Sequence, residues 1–195
     1  MTDITKLVTT KEVFLIFPNT ARANIVRNLP AVLTALSEVG LGDTDGVCMA
    51  LATIAAETGQ FVPIPEGQSH YNTAPGGRPF GLYDNRHDLG NGGPGMGYKY
   101  RGRGYVQLTG HSNYVRIGQE IGVDLEHQPD LACDPGIAAR VLARFLGDSE
   151  GQWRGAIARG SYAEARRAVN GGTNGLAEFE AAYDRGQNVL PDDGA

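Results

Sequence analysis

Residues 43–57 read DTDGVCMALATIAAE, and this stretch fixes the first element of the fold. Asp43, Thr44 and Asp45 are N-cap residue types, and Val47, Ala50, Leu51, Ile54 and Ala55 recur at helical spacing. Glu57 follows at the C-terminal end of the apolar stripe. A carboxylate there lies near the negative end of the helix dipole and beside apolar side chains, and both disfavour its charge.

Downstream the pattern changes. Glycine, 28 residues in all, is concentrated between Gly81 and Gly110, and Pro63, Pro65, Pro75, Pro79 and Pro94 exclude long helices from 61–110. Within this region residues 101–110, RGRGYVQLTG, end in Gln107 and Thr109. Alternation from Tyr105 to Thr109 predicts an extended strand with Tyr105, Gln107 and Thr109 on one face. Phe80–Asp84 and Tyr98–Leu108 read as small strands or extended loops.

On the N-terminal side, Asn19 or Thr20 caps a short helix through Val26, and Pro30 opens a second helix over Ala31–Val39. After the Gly-rich region, Asp134-Pro135 starts a helix through Phe145. Ser161 with Glu164 is a capping box for a helix ending near Asn170-Gly171-Gly172, and a last helix spans Leu176–Leu190. The expected fold is α+β and mainly helical, with a small β-hairpin or sheet subdomain. It forms a single domain over 1–195, with about 61–110 as the loop-rich β part and no linker to a second domain.

With 41% hydrophobic and 20% charged residues in 195, the composition is that of a folded globular domain. A net charge of −5 argues against non-specific binding to nucleic acid. Lys99, Arg101 and Arg103, interleaved with Tyr98, Tyr100 and Tyr105, could pass for a nucleic-acid patch, but the chain is acidic and carries no nucleic-acid-binding fold signature. GNGGPG at 90–95 follows no buried strand and opens no helix, which excludes a dinucleotide site. His70, His87, His111 and His127 lack metal-ligand spacing, so neither metal nor cofactor is expected. Cys48 reads as a buried free thiol, and neither it nor Cys133 stands in a nucleophile context. The N-terminus carries no secretory signal and no membrane span, which makes a cytoplasmic product delivered by some other route, and a monomer, the expectations.

Glycoside hydrolysis pairs a protonated carboxylic acid with a second carboxylate. Glu57 suits the acid. Glu66, in the loop PIPEGQSHY, should stay solvated and ionised and suits the base. On these residues alone, a helix-end charge and a solvated loop charge explain the pair better than a catalytic role does.

The motifs carry a resemblance. LATIAAETGQF resembles the catalytic-helix motif of glycoside hydrolase family 19, and YDNRHDLGNGGPGMGYKYRGRGYVQLTGHSNY resembles the family's long core motif in its bacterial and phage endolysin form. LACDPGIAARVLARFL and RRAVNGGTNG resemble the motifs that follow, so the likeness runs in order from about residue 45 to 188.

The resemblance implies a lysozyme-like fold and an inverting mechanism, with carboxyls about 6.5–9.5 Å apart. It gives Glu57 the general-acid role, Glu66 the general-base role and Thr109 a share in holding the water. Gln107, Asn113, Asn170, Tyr71, Tyr114 and Arg185 become substrate contacts.

Ala56 stands where relatives have His, Gln60 where they have Gly, and Met96 where endolysins often have Asp. The short stretch between Glu57 and Glu66 resembles the endolysin branch and favours peptidoglycan over chitin. The expected activity is therefore that of an endolysin delivered to the wall by a holin or another channel. A chitinase, or a catalytically silent wall-binding protein, is the alternative.

Overall fold

The computed structural model describes residues 2–192, which divide into two compact units. The first comprises residues up to Val62 and those from Leu142 onward, and the second comprises Pro63–Val141.

The first unit is helical. Its elements are α1 (Thr10–Ile16), α2 (Arg22–Glu38) and α3 (Thr44–Glu57), with α7 (Glu150–Ala158), α8 (Tyr162–Asn170) and α9 (Leu176–Val189) from the C-terminal part. Helix α3 is the buried axis, since every residue from Val47 to Ile54 is inaccessible to solvent. It packs on α9 so closely that a Cβ on Gly186 would come within 2.6 Å of the Cys48 sulfur. Cys48 is the expected buried free thiol. Asp43 caps α3 by accepting from the Gly46 amide, and both its oxygens accept from Arg154 at 3.1 and 2.6 Å.

The chain leaves α3 through a sharp bend in which Gly59 and Phe61 have positive φ. Three side chains hold that bend. Thr20 donates to the Gly59 carbonyl at 2.7 Å, and from α2 Asn24 donates to the Gln60 carbonyl at 2.9 Å and Asn28 to that of Phe61 at 2.7 Å. These bonds satisfy carbonyls that no regular ladder reaches, and they fix where α3 ends and therefore where Glu57 stands.

The second unit holds β1 (Ile64–Pro65) paired antiparallel with β2 (Arg103–Gly104), Ile64 opposite Gly104. Around them lie α4 (Met96–Lys99), α5 (His111–Ile121) and 3-10 turns at Gly81–Tyr83, His87–Leu89 and Pro129–Cys133. Helix α6 (Pro135–Asp148) starts in this unit and ends in the first. It opens on Asp134, whose side chain accepts from the Gly136 and Ile137 amides. The described residues are mainly helical with one small sheet, the α+β class expected.

Several elements differ from the sequence expectation. Helix α2 runs unbroken through Pro30. Proline removes one backbone donor, and the Val26 carbonyl that loses its partner belongs to a solvent-exposed residue. Helix α1 begins at a Thr9–Glu12 capping box, a signal present in the sequence and not read there. The Ser161 box is only half formed, because Ser161 accepts from the Glu164 amide while the Glu164 carboxylate pairs with Arg159.

The Tyr105–Thr109 strand is absent. Arg103 and Leu108 exchange both backbone hydrogen bonds, at 3.2 and 2.8 Å, and close residues 104–107 into a turn. Tyr105 is buried at its start, and Gln107 adopts φ 51° at its end. Phe80–Asp84 is likewise a 3-10 turn rather than a strand. Among the described residues no helix is long and apolar enough to cross a membrane.

Burial opposes ionisation of Asp43, but the bonds and charge of Arg154, with the Gly46 amide, outweigh it and hold the carboxyl below the usual carboxylate range. A group of this kind stabilises the fold above its unfolded-state pKa, and the contribution disappears as pH falls through the folded-state value. Asp43→Asn keeps a capping side chain and removes the ion pair. It should cost about 1.5–3 kcal/mol in urea unfolding near neutral pH. The gap to wild type should close in acid, below the ordinary carboxylate range. A gap independent of pH would count against the ion pair.

Candidate active site

The two carboxylates singled out from the sequence have different surroundings. In the first unit, Glu57 ends α3 with its side chain 15% exposed. Its Oε1 accepts from Arg166 on α8, and from Asn170 one turn later at 2.5 Å. Arg166 is buried, 2% exposed, and its Nε and Nη2 also donate to the Asn174 carbonyl at 3.1 and 3.0 Å. Glu57 thus faces a guanidinium as well as apolar helix, whereas its sequence position suggests an apolar setting alone.

Arg166 lies four residues before Asn170, one helical turn away, in the RRAVNGG segment already associated with Asn170. That spacing was the available signal for it. The loop after α8 is held close as well, since a Cβ on Gly175 would lie 2.9 Å from the Ala56 carbonyl oxygen.

In the second unit, Glu66 follows β1 and is half-buried rather than freely solvated. Its amide donates to the Gly102 carbonyl at 2.8 Å, and the Gly102 amide returns a bond to Oε2 at 3.0 Å. Oε1 accepts from Asn72 Nδ2 at 2.9 Å and from the Tyr83 hydroxyl at 2.8 Å. Asn72 is fully buried with all four hydrogen-bonding positions used, toward Glu66, Gly67, Ser69 and Thr73. Burial, and then the bond to Glu66, push the Tyr83 hydroxyl up to about 12, so it remains a donor at every pH of interest. Neither Asn72 nor Tyr83 was legible from the sequence, because no spacing rule links them to Glu66.

The remaining candidates divide. Gln107 is beside Glu66 across Gly102, and its Nε2 donates to Ile64 and Gly104 carbonyls, tying β1 to the turn. Thr109 donates its hydroxyl proton to the Gln107 carbonyl at 2.8 Å, and Asn113 donates to the Thr109 carbonyl at 2.8 Å. Tyr71 is 78% exposed and lies on the His70 ring, 3.8 Å between centroids.

Tyr114 is a correction. It is fully buried and its hydroxyl bonds the Arg101 carbonyl and the Arg103 guanidinium, so it supports the turn from below and has no free surface for a sugar. Arg185, on α9, is exposed, donates to the Ile16 carbonyl and borders a pocket of about 320 Å³ with Phe17, Ala55 and Glu178, all within the first unit.

The cationic and aromatic stretch also divides. Arg103 is buried and paired with Asp130 at 2.7 Å, and Tyr100 and Tyr105 are core residues. Tyr98 is half-exposed, with the Arg101 guanidinium over its ring at 4.4 Å. Among the described residues no three His, Cys, Asp or Glu side chains gather as a metal site would require.

Removing Arg166 leaves Glu57 and the Asn174 carbonyl without the guanidinium that bonds them both. Arg166→Met should therefore lower stability by about 3–5 kcal/mol at neutral pH. Adding Glu57→Gln should recover part of that loss, a coupling that urea unfolding of the three variants would measure. Strict additivity would mean that the pair is energetically inert.

Comparison with known proteins shows what the chain is similar to. Residues 87–150 match the sequence model of glycoside hydrolase family 19, described as chitinase class I. A Haemophilus influenzae protein described as glycosyl hydrolase family 19 domain-containing is 31% identical over 121 residues, covering 61% of this chain and 56% of its own length. An acidic endochitinase of Petunia hybrida is 37% identical over 115 residues, 58% of this chain and 42% of that protein. The chain thus spans about half the length of these relatives.

Among solved structures, chitinase C from Streptomyces griseus superposes with a TM-score of 0.64 at 20% identity, covering 96% of each chain. A bacterial family 19 chitinase gives 0.66 at 22% identity, covering 95% of this chain and 96% of that one. At such identities the structural likeness establishes the fold, which is that of family 19 chitinases, and the sequence likeness to glycoside hydrolase family 19 lies over residues 87–150.

Proposed function

We propose that the protein is a peptidoglycan-degrading glycoside hydrolase of the endolysin type, cleaving β-1,4 bonds with inversion. The observation that carries the reading is the setting of Glu66, a carboxylate gripped at both oxygens by Asn72, Tyr83 and Gly102, in a unit that overlaps the family match. So many donors suit a group that must be ionised and immobile when it takes a proton.

In the proposed reaction Glu57 gives its proton to the glycosidic oxygen as the bond from that oxygen to the anomeric carbon breaks. A water oxygen forms a new bond to the anomeric carbon from the opposite face, and Glu66 takes a proton from that water. Arg166 and Asn170 both bind Oε1 of Glu57, which leaves Oε2 to carry the transferred proton. The Thr109 hydroxyl spends its proton on the Gln107 carbonyl, so toward water it acts as an acceptor.

Peptidoglycan is favoured over chitin by the short stretch from Glu57 to Glu66 and by two cysteines, Cys48 and Cys133, that form no disulfide. Passage to the wall through a holin or another channel belongs to the same proposal. A chitinase is the second reading, favoured because relatives and structural neighbours are described as endochitinases and chitinases.

Digestion of purified sacculi and of an N-acetylglucosamine hexamer, read by reducing-end release and by mass spectrometry of muropeptides, separates the two. Wild type should release muropeptides from sacculi, and Glu57→Gln and Glu66→Gln should each lower turnover by about a hundredfold or more while still binding the wall. Cleavage of the hexamer alone would establish the chitinase. Binding of sacculi without any product from wild type would make the protein a wall-binding module, and undiminished lysis by Glu57→Gln would remove the acid assignment.

A further inference from the structure

We propose that Arg101 and Tyr98 form a subsite for the peptide stem of peptidoglycan, a role that rests on the peptidoglycan reading above. The guanidinium takes a stem carboxylate, a group chitin lacks, and the ring supports the adjoining sugar. Three observations within the second unit converge on it.

First, Arg101 and Arg103 stand beside the one carboxylate of Asp130, and Arg103 claims it, with Nε at 2.9 Å and Nη2 at 2.7 Å from Oδ1. Arg101 Nη2 is 4.0 Å from that oxygen, beyond hydrogen-bond reach, and among the described residues no other carboxylate comes as near. Two cations thus share one anion, and the excess falls on Arg101. Its side chain is 16% exposed against 2% for Arg103, so it is the one of the two that a ligand can reach. A guanidinium largely withdrawn from water and short of a counter-charge gains most from an incoming anion.

Second, Arg101 is held in place before any ligand arrives. The guanidinium lies over the Tyr98 ring at 4.4 Å and 5.8 Å from that of Phe80, and Nη1 donates to the Tyr98 carbonyl at 2.8 Å. Phe80 is buried and meets the Tyr98 ring edge-on at 5.8 Å, which braces the pair from below. The Nε and Nη2 edge makes no hydrogen bond among the described residues, and that is the edge which grips a carboxylate by two parallel bonds. Little side-chain freedom remains to be lost on binding. Tyr98 is half-exposed and keeps ring surface for a sugar.

Third, the pair is built on the supports of the base. Arg101 precedes Gly102, whose carbonyl and amide both bond Glu66. From the other oxygen of Glu66 the Tyr83 hydroxyl leads to a ring 6.5 Å from that of Phe80, on which Arg101 and Tyr98 rest. Chitin offers such a site neutral hydroxyl and acetamide groups only. Peptide stems bring carboxylates, whose charge-assisted bonds to a guanidinium are roughly twice as strong as neutral ones.

Binding of the Glu57→Gln protein to purified sacculi tests this, with the carboxylates of the sacculi native or capped as methylamides, and with affinity read from co-sedimentation isotherms. Native sacculi should bind about tenfold or more tighter than capped ones. The net charge of −5 makes that sign diagnostic, because capping relieves general repulsion and by itself would strengthen binding. Adding Arg101→Gln should bring native sacculi down to about the capped affinity and leave capped sacculi unchanged.

Equal affinity for native and capped sacculi overturns the inference, and that comparison needs no substitution at Arg101, so it decides even if Arg101→Gln loses its fold. A loss from Arg101→Gln that is the same on both kinds of sacculi overturns it too. Binding of the N-acetylglucosamine hexamer with none of native sacculi would instead strike the peptidoglycan reading, and the subsite with it.

Discussion

Glu66 accepts hydrogen bonds from three separate segments of its unit, through Asn72, Tyr83 and Gly102, and much of that unit's order depends on those bonds. The unit contains two strands of two residues each and many prolines and glycines, so regular ladders supply few of its hydrogen bonds. Polar side chains take their place. Asn72 joins the carboxylate to the loop behind it, and Gln107 joins β1 to the turn that follows β2. Glu66 is thereby the hub of a polar network that ties these segments together.

Glu57 is managed by different means. Its neighbour is a cation, Arg166, buried on the next-but-one helix of the C-terminal part and itself tied to the Asn174 carbonyl. One carboxylate is thus held by a formal charge and one amide, the other by three neutral donors. Distinct surroundings for two carboxylates are what acid and base roles require. The Thr20, Asn24 and Asn28 bonds to the bend after α3 belong to the same design, since they fix the helix end that carries Glu57.

The helices were legible where apolar periodicity coincided with a cap. Asp43 before α3, Asp134 before α6 and Gly171 after α8 mark ends that appear in the structure at or near the expected residues. Reading failed where a local rule met a tertiary override. Pro30 by itself predicts a helix start, yet α2 continues through it because the lost bond falls on the exposed side. Alternation from Tyr105 to Thr109 predicts a strand, yet Gly104 and Gln107 accept positive φ and turn the chain back. Tyr114 carried the right residue type for sugar contact and is sealed in the core.

The sequence by itself determined the class of the fold, and the placement of Glu57 at a helix end and of Glu66 in a loop. Those properties depend on local propensity and on the order of residues along the chain, and both are written in one dimension. Only the tertiary structure decided who holds the carboxylates. Arg166 reaches Glu57 across 109 positions and Gly102 reaches Glu66 across 36, and nothing in spacing or composition announces such pairs. Buried hydrogen bonds are chosen by which segments meet when apolar surface leaves water, and that choice is made by the fold as a whole.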